Sequence, residues 1–328
     1  MKKEEKVFSK EIQQIRKDIE DLKIQGATNV AISTFEGMKM FLSNRWGNDN
    51  ISDLVKSCLE VGEYLSTARI NEPLARNGVI YVRIKALDIS KEGMSIKKVQ
   101  DKLLDFIDEY LDMITSSKKT IIKNSTDDLK DFENILTHCH SSTAVDLLKT
   151  MAKNKSREDF GVVCTETRPN FQGRITAKSL SEAGIDTTFI ADSAAESFAI
   201  GRGSRQIDAV FLGCDQFTKD GYMINKIGSW GIAMAAHYAG KPVYIITPLL
   251  KIDPYINTSD IEIEIREDRE LWKDAPKNLD IFNPAFEIVD KSLITGYVTE
   301  EGILEPKELE KVVKQKYAWL FVNNLENS

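Results

Sequence analysis

Two kinds of hydrophobic spacing divide the chain near residue 120. In the first third, apolar residues recur at steps of three to five residues, and the first series runs Val7, Ile12, Ile15, Ile19 and Leu22. Such spacing places an apolar stripe along one face of a helix. It predicts a helix at the start of the chain, further helices near 30–42, 51–65 and 95–114, and a loop around 71–78.

Short apolar runs alternate with helical segments after residue 120. The runs cover 135–136, 161–164, 187–190, 209–212 and 243–246, and the helical segments between them cover 143–152, 175–183, 194–200 and 227–239. Alternating strands and helices are typical of parallel βαβ units. We therefore predict an α/β protein with a helical N-terminal domain, residues 1–118, and a Rossmann-like domain with a doubly wound parallel sheet, residues 119–328.

The composition narrows the class of protein. The 328 residues carry a net charge of −7, and this acidic balance argues against non-specific nucleic-acid binding, which needs a basic surface. No run reaches 18 apolar residues and the charged start resembles no signal peptide, so we expect no membrane partner. Four scattered cysteines favour reduced thiols and a cytoplasmic protein. Residues 260–274 hold seven acidic and three basic side chains, and we expect a solvated edge there.

Polar and turn residues follow five of the predicted strands. They are the segments Thr137–Ser141, Thr165–Pro169, Asp192–Ser193, Gly213–Asp215 and Thr247–Pro248. In an open parallel sheet, ligands bind beyond the carboxyl ends of the strands, and these ends lie at one edge. The sequence therefore predicts a single site at this edge.

Cys139 is the first candidate for chemistry at that edge. It lies between His138 and His140, at a strand end and just before a predicted helix, and a helix start with nearby cations favours a thiolate. The alternative is a buried structural thiol, since free cysteine is among the most buried residue types. A metal site fits less well, because neighbouring strand residues point to opposite faces and no further ligand pair follows. We expect no metal and no redox cofactor.

Asp215 directly follows a predicted strand, where it is either a turn residue or a carboxylate for general acid–base chemistry. Asn225 and Lys226 are expected to open the next helix, where a cation and free N–H groups together suit a bound anion. Further basic residues near strand ends favour a phosphorylated ligand, and these are Arg168, Arg174 and Lys251. The sequence lacks a P-loop, a complete dinucleotide fingerprint and a nucleophile elbow.

Four motifs, taken in order, resemble the initiation factor 2B alpha/beta/delta family. They are Thr165–Pro169 with Gln172-Gly173, then Gly213–Asp215, then Asn225–Gly228, and finally Asn283–Phe286. The resemblance is strong over about residues 130–290. It implies assembly through the α/β domains, so we expect a homo-oligomer, either a dimer or a hexamer.

The family includes isomerases of sugar phosphates as well as regulatory subunits. By resemblance to the isomerases, Cys139 would accept a proton and Asp215 would donate one. The substrate-binding positions implied in the same way are Gly26, Ala27, Arg69, Asn225, Lys226 and Lys251. The segment Thr137–Ser141 looks most like that of archaeal ribose-1,5-bisphosphate isomerases. The resemblance thus implies an aldose–ketose isomerase that converts ribose 1,5-bisphosphate to ribulose 1,5-bisphosphate, without cofactor or metal.

Two alternatives stay open within the family. One is a regulatory subunit that binds sugar phosphate or nucleotide and has initiation factor 2 as its partner. The other is a methylthioribose-1-phosphate isomerase. Gln25 stands where the isomerases carry an arginine, and an amide there loses a charged, bidentate phosphate contact. That difference favours the regulatory alternative, whereas Cys139 and Asp215 favour an enzyme.

Overall fold

Helices make up the first part of the chain in the computed structural model, which describes residues 8–44, 50–89, 93–153, 155–156 and 158–322. They are α1 (Lys10–Glu20), α2 (Ala27–Ser43), α3 (Ile51–Ser66), α4 (Pro73–Ile89) and α5 (Ile96–Asp128). The side chains of Ser9 and Asn50 begin α1 and α3, because each accepts a hydrogen bond from an N–H group of the first turn. The predicted helices are confirmed, apart from Val7, which lies outside the described residues.

Two boundaries in this part differ from the sequence-based expectation. The loop expected around 71–78 is helical from Pro73 onward, because proline at a first helical position lacks only an N–H group that would have no helical partner. Helix α5 continues from 114 to Asp128, through the polar residues 116–119. Of these residues, Ser117 is buried and donates to Glu300, and Ile121 beyond them is fully buried, so one face of the helix stays packed past residue 114.

The second part of the chain contains the strands. They are β1 (Asn134–His138), β2 (Gly161–Thr165), β3 (Asp186–Ile190), β4 (Ala209–Leu212), β5 (Gln216–Thr218), β6 (Met223–Lys226), β7 (Val243–Ile246), β8 (Ile252–Asp253), β9 (Phe286–Val289), β10 (Gly296–Thr299) and β11 (Gly302–Leu304). The helices here are α6 (Ser142–Ala152), α7 (Gln172–Glu182), α8 (Ala195–Ala199), α9 (Ser229–Tyr238), α10 (Asp268–Leu271) and α11 (Leu309–Lys316). All five predicted strands and the four helices between them are confirmed.

The main sheet has seven strands in the order β11-β10-β7-β4-β1-β2-β3. Its pairs are parallel except for the antiparallel pair of β10 with β11. The chain moves outward from β1 to β3 and then returns to place β4 on the other side of β1. This reversal makes the ends of β1 and β4 a topological switch point, where open α/β sheets bind their ligands. The prediction of a helical part followed by a Rossmann-like sheet is confirmed.

A smaller sheet of four strands, in the order β8-β5-β6-β9, was not predicted. Strands β5 and β6 form an antiparallel hairpin directly after β4. The expectation that Asn225 and Lys226 open a helix is therefore wrong, because both belong to β6 and α9 starts only at Ser229. The strands of two to four residues in this sheet are too short to show a period of two in the sequence.

Packing divides the described residues into two units. One comprises the described residues of Met1–Thr115 and Tyr317–Ser328, and the other comprises those of Ser116–Lys316. In the first unit, the Trp319 ring packs edge-on against Tyr81 and Tyr110, with centroids 5.2 and 6.3 Å away. The last described segment therefore packs with the N-terminal helices. No helix in the described part of the chain is both long and apolar enough to cross a lipid bilayer.

Candidate active site at the strand ends

Cys139 is fixed in the turn between β1 and α6. Its φ of 67° lies in the left-handed region, which ends the strand abruptly and turns the chain toward the helix. Its N–H donates to Thr167 Oγ1 (3.0 Å), and its carbonyl accepts from the Thr176 hydroxyl (2.8 Å). Ser141 then starts α6 by accepting the Ala144 N–H at 3.3 Å.

The turn after β2 packs directly beside Cys139. Thr167 also has a left-handed φ, of 65°, and the Asp192 carboxylate accepts both its N–H (2.6 Å) and that of Arg168 (2.7 Å). A Cβ atom on Gly173 would lie 1.8 Å from the Thr165 carbonyl oxygen. Glycine is therefore required where α7 begins, so that the helix can approach the end of β2.

A hydrogen-bond chain of defined direction runs from Cys139 to the start of α9. The Ile227 carbonyl can only accept, so His138 Nε2, 2.8 Å away, carries the ring proton. His138 Nδ1 then accepts from the Thr165 hydroxyl at 2.6 Å. Thr165 has no second proton, so Thr167 donates to it at 3.2 Å while accepting the Cys139 N–H. The sequence predicted Thr165 and Thr167 at this edge of the sheet but not their hydrogen bonds to His138 and Cys139, which depend on how β1 and β2 pair.

His138 is neutral in this arrangement. Burial lowers its pKa to about 4, and the nearby charge of Lys226 adds to the effect, whereas the Ile227 carbonyl and Asp192 oppose it. A protonated ring would carry a hydrogen on Nδ1 as well. That hydrogen would then oppose the hydrogen of the Thr165 hydroxyl, which would have to turn away. The geometry and the electrostatics thus agree on a neutral imidazole.

The Cys139 thiol lies among charged groups of both signs. Its pKa is raised to about 11, mainly by burial and also by the carboxylates of Asp215 and Asp192. Lys226 and the His140 N–H group act in the opposite direction. Its position at a helix start is therefore not enough to make this thiol a thiolate at neutral pH. Lys226 is the cation that counteracts the effect of burial on the thiol pKa.

Asp215 and three more of the predicted site residues, Asn225, Lys226 and Lys251, belong to the same unit. Asp215 connects β4 to β5, and its N–H donates to the Ile224 carbonyl at 3.1 Å. The buried Lys251 ammonium donates to the carbonyl of Cys214, the residue before Asp215, at 2.5 Å. Asn225, also buried, donates to Ser229 Oγ at 2.9 Å.

Lys226 follows Asn225 at the end of β6 and is only 5% exposed. Its ammonium lies 5.0 Å from the centre of the Phe286 ring, a cation–π contact. Within the described ranges, no carboxylate lies within ion-pairing distance of this ammonium. A buried cation without an ion pair is costly, so the position is suited to an anion.

Three predicted substrate-binding residues belong to the helical unit. Gly26, with a φ of 82°, precedes α2, and Ala27 is the first residue of that 17-residue helix. No side chain caps this helix start, so its first N–H groups lack a side-chain acceptor, as they do at an anion-binding helix terminus. Gln25 donates to the Leu22 carbonyl at 2.6 Å. Arg69 is buried and forms an ion pair of 3.3 Å with Glu72.

Two arginines that were candidates for phosphate binding have structural partners. Arg174 pairs with Glu166 at 2.5 Å and lies 3.8 Å from the centre of the Phe171 ring. Arg168 donates to the Leu271 carbonyl at 3.0 Å. Both contacts hold the loop between β2 and α7. In the part of the chain that the structure describes, no group of three or more His, Cys, Asp and Glu side chains is placed to hold a metal ion.

The acidic stretch 260–274 is only partly a solvated edge. Arg266 lies between Glu264 (2.9 Å) and Glu270 (2.5 Å), and all three side chains are at most 17% exposed. Asn170 also donates to Glu270 at 3.2 Å. Burial would raise the pKa of Glu270, but the hydrogen bonds from Arg266 and Asn170, with the charges of Arg266 and Lys226, lower it. The expectation of a wholly solvated stretch is therefore wrong at these residues, which tie the segment to the loop after β2.

Replacing Arg266 by methionine is expected to lower the free energy of unfolding by about 1–3 kcal/mol at pH 7, between the values for exposed and buried pairs. A carboxylate whose folded pKa is lowered stabilises the protein above its ordinary pKa, and this stabilisation is lost as the pH falls. The difference from the wild type should therefore shrink below about pH 4. Urea unfolding at pH 7 and below about pH 4 measures this difference in stability.

Arg269→Met, at an exposed arginine of the same segment, is the control and should change the free energy of unfolding by less than about 0.5 kcal/mol. An equal loss in both variants would contradict the assignment.

The sequence is similar to those of known proteins over nearly its whole length. The model of the initiation factor 2 subunit family matches residues 23–306. The chain belongs to this family. The ribose 1,5-bisphosphate isomerase of Methanocaldococcus jannaschii is 30% identical over 94% of this chain and 96% of its own. A 5-deoxyribose 1-phosphate isomerase of Clostridium botulinum (strain Okra / Type B1) is 34% identical over 90% of this chain and 87% of its own.

Among solved structures, the translation initiation factor eIF-2B of Pyrococcus horikoshii OT3 superposes with a TM-score of 0.77. The two chains are 23% identical, and the match covers 91% of this chain and 98% of that one. This likeness establishes the fold that the family shares. Since the fold serves proteins with different names, the function has to be argued from the residues at the strand ends.

Proposed function

We propose that this chain is an aldose–ketose isomerase of a phosphorylated pentose, with ribose 1,5-bisphosphate as substrate and ribulose 1,5-bisphosphate as product. One observation carries the proposal: Asp215 and Lys226 are near enough to Cys139, at the end of β1, to act on the pKa of its thiol, Asp215 raising it and Lys226 lowering it. Two relatives that match nearly the whole chain are named as isomerases of pentose 1-phosphates.

The residues fit a proton-transfer mechanism. Asp215, in its protonated form, gives its proton to the ring oxygen as the bond from that oxygen to C1 breaks. The Cys139 thiolate removes the proton from C2, which gives an enol between C1 and C2. C1 then takes the proton from Cys139, and the hydroxyl on C2 returns its proton to Asp215 as the ketone forms. Both residues end in their starting states, so no electron acceptor is consumed.

The cations at the site suit the charge of the substrate and of the intermediate. Lys226 has no carboxylate partner among the described residues, and an anionic phosphate or enolate would supply the missing charge. The Lys251 ammonium is held by the Cys214 carbonyl, next to the proposed acid. For Gly26, Ala27 and Arg69, which belong to the helical unit, phosphate binding stays a prediction from the family resemblance.

Beyond the type of reaction, the proposal also specifies how many phosphates the substrate carries. The two relatives differ here, because one name specifies a bisphosphate and the other a deoxy monophosphate. Gln25, beside the proposed phosphate turn, is neutral and already donates to a backbone carbonyl. The proposed bisphosphate must therefore obtain its second phosphate contact from N–H groups and from other basic residues.

The test is a turnover assay of the purified chain on three substrates. These are ribose 1,5-bisphosphate, 5-deoxyribose 1-phosphate and methylthioribose 1-phosphate, with the ketose product detected by mass spectrometry and proton NMR. We expect the highest kcat/KM with the bisphosphate. Preference for a monophosphate would overturn the substrate but retain the reaction class. Thermal stabilisation by a sugar phosphate without any turnover would overturn the enzyme and support a ligand-binding subunit.

A further inference from the structure

The short turn that follows Lys226 is held from three directions. His138 donates from Nε2 to the Ile227 carbonyl at 2.8 Å. Glu287, on β9, accepts the N–H groups of Gly228 (2.6 Å) and Trp230 (2.8 Å) through one carboxylate oxygen. The Ser229 hydroxyl donates to the Lys226 carbonyl at 2.7 Å. The side chains of His138, Glu287 and Ser229 thus fix the backbone of this turn.

The His138 ring lies directly against this turn. A Cβ atom on Gly228, whose φ is 105°, would lie 3.1 Å from both Cε1 and Nε2 of the ring. The ring joins β1 and β2 to the turn, since its other nitrogen accepts from Thr165. It is the one side chain found to link the Cys139 turn to the Lys226 turn through hydrogen bonds, within the described part of the chain.

We propose that His138 is a positioning residue that holds Lys226 at Cys139, by donating from Nε2 to the Ile227 carbonyl. Its effect on turnover rests on the proposed function, whereas its effect on the Cys139 thiol does not. Lys226 is the charge that favours the thiolate, so a shift of its turn would weaken that effect. His138 itself transfers no proton, because both ring nitrogens are occupied by structural hydrogen bonds.

Two substitutions separate the two hydrogen bonds of the ring. His138→Gln can place an N–H group near the position of Nε2, so it retains a donor to Ile227. His138→Asn can place an oxygen near the position of Nδ1, so it retains only the acceptor for Thr165. His237→Asn, at an exposed histidine near the end of α9, controls for the substitution itself.

The readout is the rate of Cys139 alkylation by iodoacetamide at pH 9, which needs no substrate, alongside kcat/KM. A double-mutant cycle with Lys226→Met shows whether His138 acts through that lysine. We expect His138→Asn to slow alkylation at least threefold and to lower kcat/KM about tenfold or more. His138→Gln and His237→Asn should stay within twofold of the wild type. In the Lys226→Met background, His138→Asn should have no further effect.

Three results would overturn the proposal. They are equal effects of His138→Asn in both backgrounds, equal losses in the Asn and Gln variants, and faster alkylation in His138→Asn. If the wild type turns over no sugar phosphate, the proposed function fails while the alkylation cycle still decides the role of His138.

Nitrogen NMR of the wild-type imidazole gives a test that needs no variant to fold. The groups that face His138 are Asp192 after β3, Lys226 on β6 and Cys139 beside it. Burial and the charge of Lys226 outweigh Asp192, so the ring should stay neutral and protonated on Nε2 from pH 8 down to about pH 5. Ionisation between pH 6 and 7, with a matching inflection in the rate, would indicate proton transfer and overturn the positioning role.

Discussion

Replacement of Cys139 by alanine is expected to lower kcat/KM for the preferred sugar phosphate by about 10²–10⁴-fold, the range that a general acid or base contributes. Asp215→Asn should cause a loss of the same order, because the amide cannot donate the proton that opens the ring. Product formation from the three candidate substrates, followed with excess enzyme, measures both losses.

Matched substitutions separate chemistry from folding. Cys58→Ala removes a fully buried thiol, which lies on α3, and Asp280→Asn neutralises an exposed aspartate. Both controls should keep kcat/KM within about threefold of the wild type. If Cys139→Ala retained such activity, the thiol would not be the base, and the mechanism would need another proton acceptor.

The same assignment predicts the direction of the pH dependence. Burial raises the pKa of Cys139 to about 11, so the thiolate is a small fraction of the enzyme at neutral pH. The rate of Cys139 alkylation by iodoacetamide, which needs only the thiolate, should therefore rise about tenfold per pH unit between pH 7 and 9. The value of kcat/KM should rise less steeply, because turnover also needs Asp215 in its protonated form. An alkylation rate that stays constant over this interval would contradict the raised pKa of Cys139.

The parts of the site that the sequence predicted are those that follow from strand ends. Each predicted apolar run, such as Ala209–Leu212, is a strand, and a parallel sheet brings the residues after its strands to one edge. The sequence alone therefore predicts that Cys139 and Asp215 lie at the same edge of the sheet. That inference needed only the order of the strands, not their side-chain contacts.

The parts that the sequence did not predict depend on tertiary contacts. The four-stranded sheet that carries Lys226 consists of strands too short for a period to be visible. The left-handed backbone of Cys139 and Thr167 is unusual for non-glycine residues and is stabilised by partners far away in the sequence, such as Asp192. The burial that raises the thiol pKa is likewise a property of the packed fold. The sequence showed only the position of Cys139 before a helix, and that position lowers the thiol pKa.

Gly173→Ala is expected to be among the most destabilising single changes in the α/β unit. The added Cβ would lie 1.8 Å from the Thr165 carbonyl oxygen and 2.9 Å from Thr167 Oγ1. The first of these atoms is backbone in a central strand, so relief requires α7 to move away from the end of β2. We expect a loss of about 3 kcal/mol or more in the free energy of unfolding, at the upper end of overpacking effects.

Gly231→Ala gives the matched control for this prediction, because it adds the same atom to another helix. There the nearest atom outside the helix is Glu196 Oε1, 2.8 Å away at the tip of a flexible side chain that can turn aside. Alanine is also the better helix former by up to about 1 kcal/mol, at Gly231 as at Gly173. Urea unfolding should therefore show little change or a gain in stability for Gly231→Ala and a large loss for Gly173→Ala.

The loss of stability in Gly173→Ala has to come from the contact with Thr165. A Gly173→Ala protein of wild-type stability would show that α7 does not need this close approach. Since Thr165 and Thr167 lead to both His138 and Cys139, the surviving folded fraction of Gly173→Ala should also lose turnover, whereas Gly231→Ala should keep it.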